Sequence, residues 1–182
     1  MKKLIAWLAA LCMLLSAGGA LAEDVVEQLR QTVQDELDRL GYFYEYDEEL
    51  ESFELRFEMG NDLETVDVSI FLFDDMLAVN VYCPFLADEA AFDDLAVFLT
   101  LVNDCEYYTQ FRMNLETGVI ACRSFNVIER VLPSGAELDT LLHEPLFAVS
   151  DYGQGIVDVL NGADPHEAFE ACQQAINDGG SF

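Results

Sequence analysis

His143 and His166 are the side chains of this chain best suited to act as bases near neutral pH. Each falls at the start or end of an expected helix among charged neighbours, and neither is joined by a serine or cysteine in a recognised nucleophile setting. They read as surface histidines. Gly153-Gln154-Gly155 matches half of a dinucleotide-binding glycine fingerprint, but Asp158 stands where the third glycine belongs and no strand precedes it. Carboxylates are abundant, yet Asp47-Glu48-Glu49, Asn61-Asp62 and Asp74-Asp75 do not extend to the regular spacing of a calcium loop. The residues therefore predict no catalytic group, no metal site and no cofactor, and a chain that is not an enzyme.

What remains is surface for binding. Tyr42, Phe43, Tyr44 and Tyr46 lie among acidic residues, a mixture that suits protein interfaces, so Tyr44 and Tyr46 are candidate contact residues; half-buried strand packing is the alternative. A second candidate surface is the stretch AAFDDLAVFLTLVNDCEYY. At 100° per residue its Asp93, Thr100 and Asp104 share a narrow polar arc, while Leu95, Val97, Phe98, Leu99, Leu101, Val102 and Cys105 cover most of the rest. One sheet cannot cover so wide an apolar surface. Either the C-terminal helices or a second subunit must meet the free side, and in a homodimer Phe98 and Leu101 would lie at the interface with Leu99 in the core.

The compartment is read from the first residues. Lys2 and Lys3 precede an uncharged run from Leu4 to Leu21, and Ala20-Leu21-Ala22 has the small-x-small form of a signal peptidase site. Residues 1–22 are expected to be a signal peptide, leaving residues 23–182 as one secreted or periplasmic domain with no membrane anchor. That domain has 160 residues, enough to bury a core without stapling. It carries six arginines against 35 acidic side chains, a formal charge of −29, which argues against nucleic acid or an anionic membrane as partner. Cys83, Cys105, Cys122 and Cys172 make an even number in an exported chain, so disulfides are permitted, with buried free thiols as the alternative.

The periodicities set an α+β order. A helix through Val26, Leu29, Val33, Leu37 and Leu40 stops at Gly41. Three strands follow, on Phe53 to Met59, Val66 to Leu72 and Leu77 to Cys83, as an antiparallel meander closed by Pro84. The apolar helix comes next, then a hairpin turning at Glu116-Thr117-Gly118. Ser134 and Glu137 form a capping-box pair ahead of Leu138, Leu141 and Leu142; Pro145 is expected to interrupt this helix and Asp151 to restart it. Asp164, Pro165 and Glu167 begin a last helix.

The stretch LTLVNDCEYYTQFRMNLETGVIACRSF, from Leu99 to Phe125, resembles the YbjN-like branch of the type III secretion chaperone-like fold. There a helix ending in a Val-Asn pair, here Val102-Asn103, runs into a strand. A turn of Asp/Asn-x-Glu-x-Gly type, here Asn114 to Gly118, and a returning strand follow; Ser150-Asp151-Tyr152 falls where the last long helix begins. The resemblance implies a non-enzymatic protein-binding domain, as a chaperone or regulator, and a homodimer. The export signal departs from those cytoplasmic roles, so what carries over is a protein-binding scaffold; an extracellular hydrolase or enzyme inhibitor is the alternative.

Overall fold

The computed structural model describes residues 25–60, 63–128 and 131–179. The expected signal peptide, the Asn61-Asp62 turn and the last three residues lie outside them. Helix α1 occupies residues 25–40 and buries Val26, Leu29, Val33 and Leu37 on one stripe. Gly41 ends it at φ +74°, where the amide of Tyr42 donates to the carbonyl of Leu37 and that of Gly41 to the carbonyl of Asp38.

Strands β1 (Tyr44–Asp47), β2 (Ser52–Glu58), β3 (Thr65–Leu72) and β4 (Met76–Leu86) form an antiparallel meander. The sequence predicts three strands here and the structure has four. β1 is only four residues long, too short for its alternation to stand out, and the Asp47 carboxylate shapes the tight turn after it by accepting from the amides of Glu49 and Leu50. Pro84 does not end β4 as expected, because the strand passes it through a register break between Tyr82 and Leu86.

A short 3-10 turn, Glu89–Ala91, leads into helix α2 (Phe92–Cys105); β5 (Gln110–Met113) and β6 (Val119–Val127) follow as the hairpin. β6 pairs with β4, giving one six-stranded sheet in the order β1-β2-β3-β4-β6-β5. Helices α3 (Gly135–Leu160) and α4 (Pro165–Asn177) complete the chain. The α3 segment is one continuous helix through Pro145, not the interrupted pair the sequence suggests. Its predicted capping box at Ser134 and Glu137 is present, and Asp164 caps α4 by accepting from the amides of His166 and Glu167.

The core lies on one face of the sheet. Val33 and Leu37 of α1 meet Ile70, Leu77 and Val79 of the sheet, and Leu138 and Leu142 of α3, around a void of about 10 Å³. Helix α2 packs against α3, α4 and β5, so the free side of the apolar helix is met by the C-terminal helices of the same chain. All four cysteines among the described residues are free thiols, and burial pushes Cys83 and Cys122 up to about 12.

Candidate binding face

Strand alternation puts the core residues on one side and a second, very different set on the other. Facing away from the helices are Glu54 and Arg56 on β2, Asp67, Ser69 and Phe71 on β3, and Ala78, Asn80 and Tyr82 on β4. Ala121, Arg123, Phe125 and Val127 on β6 and Gln110 and Arg112 on β5 continue that face. The side chains divide it into three regions.

The β2–β3 part is polar and internally paired. Ser52 and Ser69 donate to the two carboxylate oxygens of Glu54 at 2.7 and 2.6 Å, and Arg56 Nε donates to Asp67 Oδ1 at 2.7 Å. The end nearest the β3–β4 turn is apolar. Phe71, Ala78 and Phe125 are register partners across three strands, as are Met76 and Val127. Phe73 extends this row, its ring stacked on Phe71 at 6.3 Å, and Phe73, Phe125 and Val127 are 43%, 56% and 60% exposed. Adjacent apolar groups on an otherwise polar face mark a surface for contact rather than scattered exposure.

The third region, over β4, β6 and β5, is cationic. Arg123 Nε donates to Asn80 Oδ1 at 2.7 Å, and Asn80 Nδ2 donates to the Tyr82 hydroxyl at 3.3 Å. Burial, and then the cation of Arg112, hold the Arg123 guanidinium below its ordinary pKa. Arg112 is exposed and has no ion-pair partner among the described residues.

Of the residues singled out in the sequence, Phe98 is misplaced by the helical-wheel argument. It is fully buried, and its ring lies so close to α3 that a Cβ on Gly155 would come within 2.4 Å of its Cζ. Close packing of α3 against Phe98 and Cys172 also gives Gly155 a purpose that needs no nucleotide. Leu101 is half-buried. Tyr44 and Tyr46 lie on the core side of β1, half-buried, with rings 5.4 and 4.8 Å from Phe53; Arg30 sits 4.2 Å over the Tyr46 ring. Their register puts them on the opposite side of the sheet from the open face. The sequence does not single out the open-face residues, because apolar alternation marks the core side of β2 and β3 but in β6 the outward Phe125 and Val127 are themselves apolar.

His166 is exposed, as expected, whereas His143 is half-buried and packs between elements. His143 Nε2 is 2.7 Å from the Tyr42 hydroxyl and Nδ1 is 2.9 Å from the Asp139 carbonyl, joining the end of α1 to α3. A separate titratable cluster lies at the junction of α2, α3 and α4. Burial raises the pKa of Glu106 and Asp151, and burial followed by the Glu106 charge raises that of Tyr152. Tyr152 accepts from Gln173 at 2.8 Å and its ring stacks on Phe169, so this cluster is built into helix packing. Among the described residues no group of three or more His, Cys, Asp or Glu is placed to hold a metal ion, and no helix is long and apolar enough to cross a membrane.

A match in overall form decides the fold. The chain superposes on the crystal structure of YbjN from E. coli, described as a proposed transcription regulator, with a TM-score of 0.53 over 75% of this chain and 92% of that one. The fold is YbjN-like. At 14% identity the likeness to YbjN is one of fold, and α+β order, meander, helix and hairpin all agree with the resemblance drawn from Leu99 to Phe125. No family model matches the sequence, and no curated protein does. Within the YbjN-like fold Asn103 has a clear physical role. It accepts from the Phe111 amide at 2.7 Å and donates to the Phe111 carbonyl at 2.9 Å, giving edge strand β5 the two bonds a neighbouring strand would supply.

Proposed function

We propose that this chain is an exported, non-enzymatic protein-binding domain that holds an extended segment of a partner protein on its open sheet face. The observation that carries the reading is the apolar row of half-buried Phe71 with exposed Phe73, Phe125 and Val127 on the face opposite the packed helices. The YbjN-like fold accords with a regulatory or binding role. Export is proposed from Lys2-Lys3, the uncharged run and Ala20-Leu21-Ala22, and mass analysis of protein recovered outside the cytoplasm should find Glu23 as the first residue.

The binding test is selection from a random library of short peptides with both ends capped, scored against the wild-type protein and Phe125→Ser. The substitution is at an exposed position, so folding should persist by circular dichroism. Selected peptides should lose about tenfold or more in affinity for the variant. Peptides that bind both proteins equally would place recognition elsewhere and overturn the reading.

A further inference from the structure

The chain has six arginines beyond the expected signal peptide, in a background of 35 acidic residues. Arg30, Arg39 and Arg56 each meet a carboxylate within 4 Å. Arg112 and Arg123 meet none among the described residues, although the sequence is rich in carboxylates. Two guanidinium groups that feel each other's charge and are left unpaired in an acidic protein form a local reversal of the electrostatic field.

The surroundings are ordered around that reversal. Ala121 is the register partner of both Tyr82 and Arg112, and its small side chain forms the floor of an open cleft of about 490 Å³ between them. Arg123 lies two residues further along the same strand and face. Its Nε is committed to the oxygen of Asn80, a residue only 1% exposed, which orients the guanidinium and leaves its terminal nitrogens unengaged. Asn80 in turn donates to the Tyr82 oxygen, so the phenolic proton is free to be given to an acceptor in the cleft. Arg112 and Tyr82 line the cleft, and Arg123 adds its charge beside it.

We infer that the cleft over Ala121, lined by Arg112 and Tyr82 with Arg123 next along β6, is a carboxylate subsite that takes an Asp or Glu side chain of the partner segment lying on the open face. This rests on the proposed function and names the chemistry of the partner. A polyanion does not fit, because the chain's formal charge of −27 repels many phosphates while exposed charges are screened only beyond about 8 Å. A single carboxylate in an otherwise apolar segment meets the arginines at short range and adds little long-range repulsion. The strand spacing then sets the pattern. Arg123, Phe125 and Val127 are alternate residues on one face, about 7 Å apart, so an extended segment running along β6 would carry an acidic residue two positions from its first apolar one.

The test uses capped peptides selected as Phe125-dependent binders, so terminal carboxylates are absent. An acidic residue at alternate spacing from an aromatic or aliphatic one should be enriched. Replacing that Glu by Gln in the peptide should weaken binding to wild type by about tenfold, and should have no further effect on the Arg112→Gln, Arg123→Gln double variant. Arg112→Gln alone serves if the double variant fails to fold, since Arg112 is exposed and unpaired. Equal binding of the Glu and Gln peptides to wild type, with loss on Phe125→Ser retained, would overturn the carboxylate subsite and leave the open-face reading standing. Absence of Phe125-dependent binders would overturn both.

Discussion

The Ser124 hydroxyl donates to the Leu141 carbonyl, the one helical acceptor in α3 that Pro145 leaves without its amide partner four residues on. Ser124 is 2% exposed on the core side of β6, so the bond passes from sheet to helix in an environment where an unpaired carbonyl is costly. It explains how α3 runs unbroken through a proline.

Ser124→Ala should therefore destabilise the fold by about 1–3 kcal/mol. In a Pro145→Ala background the carbonyl regains a helical donor, and the cost of Ser124→Ala should fall. Chemical denaturation of the four proteins closes the cycle; additive effects would show that the bond does not substitute for the missing amide.

Phe98 and Gly155 test where the apolar helix is covered. Phe98→Ala should cost about 3–5 kcal/mol by leaving a cavity, and Gly155→Ala about 1–3 kcal/mol by forcing α3 away from the ring. Thermal melts with light scattering separate this from a subunit interface: a change in particle mass with unchanged stability would place Phe98 between subunits instead.

Asn103→Ala removes both bonds to the Phe111 backbone and should destabilise by about 2 kcal/mol. Hydrogen exchange at the Phe111 amide should rise more than exchange in β3 or β4, because β5 is an edge strand with one neighbour. Uniform loss of protection across the sheet would contradict this local role.

Glu106 and Asp151 give a pH dependence with a definite sign. Burial raises both folded-state pKa values above those of the unfolded chain, so the folded state binds protons more readily and these groups lower stability at neutral pH. Their penalty is relieved as pH falls through the folded pKa towards the unfolded one near about 4. Glu106→Gln should raise the melting temperature at pH 7 and flatten its rise on acidification. A lower melting temperature at pH 7 in the variant would mean that the carboxylate is stabilised there by its hydrogen bonds to Thr109 and Tyr152.

The YbjN-like order of elements was legible in the chain because local periodicity and caps carry it. Leu29, Val33 and Leu37 repeat at helical spacing, Val66 to Leu72 alternate, and Ser134 with Glu137 marks a helix start regardless of what the helix later touches. Pairing between distant segments was not legible. That β6 joins β4, that α3 and α4 cover Phe98, and that Ser124 makes good the bond Pro145 omits all depend on residues brought together from far along the sequence. In β6 alternation alone could not say which side faces the core, because the outward set Val119, Ala121, Phe125 and Val127 is as apolar as the inward one. Only the register across β4, β6 and β5 turned Arg123 and Phe125 outward and set Tyr82, Ala121 and Arg112 in one row, because neighbours across a sheet are fixed by strand order and not by distance along the chain.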